Sequence, residues 1–157
     1  MSVLRISIDD PGPDVLELAG AHRVWAGKHS PPEDVHAVEA EGLTDPAMTL
    51  LTARTQDGEL LGMGALRELD GEHAEVKAMH VRPLARGKGV GRALVIQLLE
   101  VARQRGYRRV SLETGTMDAF VSARHLYTSL GFTPCAPYGD YTPSPNSVCM
   151  TLTLAVR

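Results

Sequence analysis

The chain has 157 residues, 43% of them apolar and 22% charged, and a formal net charge of −3, values that suit one domain around one core. Its slight acidity gives no general attraction to nucleic acid or to an anionic membrane, and no apolar run approaches the roughly 18 residues of a membrane span. The opening MSVLRISIDD has neither the basic start nor the apolar stretch of a secretory leader. The expected compartment is therefore the cytoplasm, with Cys135 and Cys149 read as reduced thiols and a disulfide between them left open.

Residues 3–8, VLRISI, alternate apolar and polar side chains and predict a strand. Asp9, Pro11, Gly12 and Pro13 break it. Asp14 stands where a cap belongs for a helix to about Lys28, with Val15, Leu18, Ala19, His22 and Trp25 near one face. HSPPEDVHAV restarts a helix, with Ser30 at the N-cap and Pro31 at the first helical position. MTLLTAR and ELLGMGALREL are strands joined by a turn at Gln56, Asp57 and Gly58. EHAEVKAMHV is the next strand, after a turn near Asp70 and Gly71. A glycine-rich loop follows, and then Val90, Ala93, Leu94, Leu98, Val101 and Ala102 keep helical spacing until Gly106. RRVSLET is a short strand. DAFVSARHLYTSLGF is a helix capped by Asp118 and stopped by Gly131, and NSVCMTLTLAV is a final strand behind a Pro/Tyr/Gly-rich loop. This order predicts an α/β protein with a mixed sheet.

The glycine loop, RPLARGKGVGRALV at 82–95, turns backbone N–H groups and the positive end of a helix toward one point, a geometry for phosphate. A nucleoside-triphosphate loop needs Lys followed by Ser or Thr, but Gly89 follows Lys88. A dinucleotide fingerprint needs a third glycine where Arg92 stands, and its acidic ribose ligand would fall among Tyr107 to Arg109.

What remains, Arg86-x-x-Gly89-x-Gly91 after a strand and before an amphipathic helix, resembles the acetyl-CoA loop of the GNAT (GCN5-related N-acetyltransferase) superfamily. ARHLYTSLGF, at 123–132, is similar to that family's later helix and the strand after it. The SPPE and PNS segments are similar to ones in a sparsely characterised bacterial branch. The resemblance implies one domain over 1–157. Its sheet would be mixed but mostly antiparallel, with six to seven strands flanked by about four helices. It implies an acetyl-CoA-dependent N-acetyltransferase acting by direct attack in a ternary complex, without a metal.

The same resemblance assigns the cofactor to the backbone of Met79, His80 and Val81 and to the loop Arg86, Gly87, Lys88, Gly89, Val90, Gly91 and Arg92. It makes Tyr127 the general acid; a phenol keeps its proton at neutral pH and can supply it to a departing thiolate. Glu75 is the first candidate base and Glu113, in LETG, the second. Glu75 also has a bland reading as a strand carboxylate paired with Lys77 on the same face. Many members carry Asn seven residues before the tyrosine; here that position is Phe120, so the hydrogen bond that Asn makes to the cofactor is absent or replaced.

The acceptor is expected where the remaining aromatic and acidic groups gather: Trp25, Ser30, Glu33, Asp34 and His36 in one segment, and Tyr138, Asp140, Tyr141 and Asn146 in the other. A small amine or amino acid is the first reading, a protein N-terminus or lysine the second, and a CoA-binding module without turnover the third. No nucleic-acid or membrane partner is expected, and a homodimer is left open. His22, His29 and His36 recur every seven residues, but Pro31 and Pro32 prevent one continuous helical face, so no metal stripe is expected.

Overall fold

Strands β1 (Arg5–Ile8), β2 (Met48–Arg54), β3 (Leu60–Glu68), β4 (His73–Val81), β5 (Arg109–Gly115), β6 (Thr133–Cys135) and β7 (Ser147–Thr153) form a single sheet. Their order is β1-β2-β3-β4-β5-β7-β6 in a computed structural model that describes residues 4–37 and 40–155. Every pairing is antiparallel except β4 with β5. Three helices, α1 (Pro13–His29), α2 (Val90–Gln104) and α3 (Val121–Ser129), cover it. Seven strands in a mixed, mostly antiparallel sheet fall within the six to seven expected. No helix among the described residues is long and apolar enough to cross a membrane.

Burial follows the patterns in the sequence. Leu50 to Ala53 and Gly62 to Leu66 are continuously buried because both faces of the central strands are covered. On one face α2 presents Val90, Leu94, Leu98 and Val101 at helical spacing against Leu51, Leu66 and Leu112. Leu94 and Leu98 are wholly inaccessible, so truncating either to Ala costs about 2–5 kcal/mol. On the other face α1 packs Val15, Leu18 and Ala19 over Leu50, Met63 and Ala65.

Two irregularities of β4 shape the molecule. Its pairing with β5 runs only from His73 opposite Arg109 to Glu75 opposite Ser111. Past Glu75 the two strands part. On its other edge the register with β3 slips between Met63 and Ala65, so that Ala78 and Met79 together oppose Gly64. Ala78 takes φ 56° to make this bulge. Gly64 leaves room there for Met79, whose Sδ would have to move if a Cβ were added.

Some local expectations are corrected. Residues 30–37 do not restart an α-helix. Ser30 ends α1, Pro31 is extended at ψ 148°, and one 3₁₀ turn covers Pro32–Asp34. A residue before proline is pushed out of the helical region, so Pro31 cannot open a helix ahead of Pro32. Residues 38 and 39 of that expected helix, Val3 of the first strand and Val156 of the last lie outside the described residues. Among the described residues the sheet is thus flanked by three α-helices, where about four were expected. Gly12, not Asp14, is the N-cap of α1, with Pro13 as its first residue; Asp14 sits in the first turn and binds Arg54 at 2.6 Å. Asp118 makes no capping bond and lies in a 3₁₀ turn, Asp118–Phe120, that leads into α3. β6 is a separate three-residue edge strand on β7.

Candidate active site

The gap between β4 and β5 opens into a cavity of about 380 Å³. One end lies by the glycine loop, where Arg86 and Gly91 line it. Gly89 caps α2 in the left-handed region, at φ 83° and ψ 7°, with no side-chain capping bond. The first intrahelical bond runs from the Ala93 N–H to the Gly89 carbonyl, so the N–H groups of Val90, Gly91 and Arg92 point out of the helix end. A Cβ on Gly87 or Gly89 would meet nothing within 4 Å. The glycines are needed for positive φ, and the space above the loop is open. Arg86 donates to the Val81 carbonyl and Arg92 to Ser129 Oγ, while Lys88 is exposed.

Met79, His80 and Val81 line the middle of the cavity, opposite Leu126 and Tyr127 of α3. Tyr127 is 6% exposed, and burial pushes its phenol up to about 12; its proton is therefore retained throughout the neutral range. Its ring packs edge-on against Phe132, and among the described residues no hydrogen bond uses its hydroxyl. His80 points toward α1, where its Nδ1 lies 3.1 Å from His22 Nδ1. Burial pushes both imidazoles down to about 4, and each feels nearby positive groups, Lys77 at His22 and Arg86 and Arg82 at His80. At neutral pH the pair is one neutral donor facing one neutral acceptor. Trp25 meets His80 edge-on with centroids 6.3 Å apart, and Phe120 edge-on at 4.9 Å. That contact bridges from α1 across the gap to the start of α3.

The far end holds the carboxylates. Glu113 lines the cavity, half-buried, and among the described residues makes no hydrogen bond. Burial pushes its carboxyl from 4.5 up to about 7; Lys77 opposes the rise, and Asp34 and Glu75 add to it. Glu75 does not line the cavity. It is 4% exposed, and its Oε2 accepts the hydroxyls of both Tyr138 and Tyr141 at 2.6 Å. Those phenols are held well above the ordinary value by burial and by the Glu75 charge.

The sequence-derived set is thus only partly gathered. Tyr127, Glu113, Trp25, Tyr141 and Asn146 line one cavity, as do Met79, His80 and Val81. Ser30, Asp34 and His36 join them. Glu33 is exposed and faces away, and Asp140 is exposed in its loop. Tyr138 stands one layer behind, on Glu75. Sequence reasoning passed over His22, Lys77 and Phe120 as lining residues. His22 and Trp25 sit three residues apart on α1, so their shared face was readable; their meeting with His80 and Phe120 depends on tertiary packing. Among the described residues no three His, Cys, Asp or Glu side chains cluster to hold a metal.

Comparison with known proteins places this arrangement. A sequence model of the Acetyltransferase (GNAT) family matches residues 14–132. The chain is 44% identical over 149 residues to the uncharacterised N-acetyltransferase YsnE of Bacillus subtilis, covering 94% of this chain and 98% of that one. It is 37% identical over 153 residues to the uncharacterised N-acetyltransferase YedL of Escherichia coli, covering 97% and 96%. A crystal structure from Klebsiella pneumoniae, named as an acyl-CoA N-acyltransferase, superposes with a TM-score of 0.80 at 27% identity, covering 98% and 99%.

Proposed function

The chain belongs to the acetyltransferase (GNAT) family of N-acyltransferase enzymes, and we propose that it moves an acetyl group from acetyl-CoA to the primary amine of a small molecule or amino acid. The observation that carries this reading is the single cavity that joins the glycine loop, the parted β4 strand, Tyr127 and Glu113. Its volume of about 380 Å³ falls within the range of small-ligand sites, which favours a small acceptor over a folded protein.

The open loop fits a pyrophosphate: three N–H groups at a helix N-terminus face it, and Arg86, Lys88 and Arg92 add positive charge in the same stretch of chain. The β4 edge from Val76 to Val81, left unpaired by β5, offers backbone groups to an amide-bearing pantetheine arm. Bound acetyl-CoA supplies a thioester whose carbonyl accepts the amine and whose sulfur leaves.

This chain's residues do the rest. Glu113, as carboxylate, takes a proton from the acceptor's ammonium and frees its lone pair. A carboxyl near 7 is matched to that task at neutral pH. Tyr127 donates its hydroxyl proton, or a hydrogen bond, to the departing sulfur. The amine nitrogen forms the new bond to the acetyl carbon as the carbon–sulfur bond breaks; the thiol leaves with the Tyr127 proton, the second proton shed by the nitrogen returns to the Tyr127 oxygen, and Glu113 passes its own proton to solvent. Trp25 and Phe120 wall the acceptor's body. The test is free-thiol release from acetyl-CoA by purified protein across a panel of amines and amino acids. Release with at least one acceptor, coupled to its acetylation, is expected. Tight acetyl-CoA binding without thiol release for any acceptor would leave a binding module instead.

A further inference from the structure

We propose that Glu75 is a positioning residue, whose buried carboxylate holds together the two segments that wall the acceptor end of the cavity and leaves proton removal to Glu113. This rests on the acetyl-transfer reading above.

The bonds form one chain. Glu75 Oε2 accepts the Tyr138 and Tyr141 hydroxyls, each at 2.6 Å, lengths of charge-assisted bonds. The Tyr141 oxygen in turn accepts from Lys77 Nζ at 3.0 Å, and Lys77 Nζ reaches the His36 carbonyl at 3.1 Å. β4 therefore grips the C-terminal loop, residues 136–146, with Glu75, and the segment after α1, residues 30–37, with Lys77. The rings reinforce the grip: Tyr141 packs on Tyr138 at 5.1 Å and edge-on to His36 at 4.9 Å. A second tie runs directly between the two segments, where Asp34 Oδ2 accepts from Ser144 Oγ at 3.1 Å and Asn146 Nδ2 at 3.3 Å. Asp34, His36, Tyr141 and Asn146 all line the cavity.

The same bonds disqualify Glu75 as the base. Oε2 already accepts two phenols, and a side chain only 4% exposed and outside the cavity lining gives an ammonium no approach. Its alignment also has a structural purpose, because a buried charge is tolerated only when it is hydrogen-bonded. Glu113 has the opposite surroundings: it lines the cavity and no hydrogen bond among the described residues occupies it. Burial dominates its titration, with Lys77 from β4 opposing the rise and Asp34 from the segment after α1 and Glu75 from β4 adding to it; Tyr141 from the C-terminal loop and Cys149 opposite it on β7 are the neighbours that its charge raises in turn. Two carboxylates near one cavity thus take different roles from different environments.

The deciding experiment compares Glu75→Gln and Tyr141→Phe with the native protein. Both variants should raise the acceptor KM by about 10- to 100-fold, the scale of a misplaced site, and leave the acetyl-CoA KM within about twofold. Both should keep the acidic limb of the kcat/KM profile. Amide hydrogen exchange should quicken in residues 30–37 and 136–146 and stay slow in β4. Loss of the acidic limb in Glu75→Gln would make Glu75 the base and overturn the proposal. So would an unchanged acceptor KM together with unchanged loop exchange. If no amine is turned over by the native protein, the acetyl-transfer reading fails. The exchange data then decide the anchoring alone: quickened loops uphold it, and unchanged loops refute it.

Discussion

At pH 8 the variant Glu113→Gln is expected to fold more stably than the native chain and to turn over far more slowly. Burial raises the Glu113 carboxyl from 4.5 to about 7 in the folded state, so the folded protein binds that proton more tightly than the unfolded chain does. Stability then falls as pH climbs from the unfolded value to about 7, and the full penalty is present above it. At about 1.36 kcal/mol per pH unit the penalty has a ceiling near 3 kcal/mol, and water in the cavity screens part of it. Gln has the same shape and no charge, so the variant should recover about 1–3 kcal/mol, at roughly 2–4 °C of Tm for each kcal/mol in a chain of this size. At pH 4, where the Glu113 carboxyl is mostly protonated in the folded and the unfolded chain alike, the two melting curves should nearly coincide.

Activity should move the other way. The base works only when ionised, so native kcat/KM should fall about tenfold for each pH unit below about 7. The variant should lose that limb and be slower by about 10²- to 10⁴-fold at pH 8. Thermal melts at pH 4 and pH 8, with thiol-release rates between pH 5.5 and 9, measure both halves. A folded variant that kept the acidic limb, or melted lower than native at pH 8, would refute the assignment of Glu113 as an ionising group strained by burial.

Tyr127→Phe keeps the ring against Phe132 and removes the hydroxyl; turnover should drop about 10- to 10⁴-fold with acetyl-CoA affinity nearly constant by calorimetry. Gly89→Glu forces a side chain into positive φ and sets a negative charge at the helix end, so acetyl-CoA should no longer raise the Tm of the folded variant; an undiminished rise would remove the loop from the cofactor site. Trp25→Ala opens the wall shared with Phe120 and His80. The acceptor KM should rise while the acetyl-CoA KM stays nearly constant, and a change confined to acetyl-CoA would place Trp25 on the donor side.

The glycine loop and six of the seven strands were legible because their signals are local; β6, three residues long, is too short to show alternation. Positive φ at Gly87 and Gly89 and the stripe from Val90 to Val101 are properties of a few consecutive residues. Residues 30–37 were not legible: Ser30 and Pro31 imitate a helix start, and only the second proline betrays it. The carboxylates were harder still. Glu75 and Glu113 both lie on strands beside the gap, and nothing in their own segments separates them. What separates them is Tyr138 and Tyr141, more than sixty positions from Glu75 along the chain. Asp34 and Glu33 show the same limit over one step. Adjacent residues of one 3₁₀ turn point apart, and only Asp34 reaches Ser144 and Asn146.

The position of the site follows from a conflict within β4. One edge of the strand bonds β3 along nearly its whole length, while the other bonds β5 over three residues only. A parallel strand that stopped pairing in the middle of a sheet would leave backbone donors and acceptors unsatisfied in a buried place, which folded proteins avoid. The bulge at Ala78 and Met79 adds local twist to β4 just past the point where β5 leaves it. It turns the strand's free edge into the cavity, where an amide-bearing ligand can complete the pairing. Gly64 permits the bulge by yielding its side-chain space to Met79, and the opening it creates is spanned by Trp25 and Phe120. Phe120 stands where the family resemblance led to an expected asparagine, and its phenyl ring closes an aromatic wall with Trp25 across the gap, which supports assigning the acceptor's apolar body to that side of the cavity.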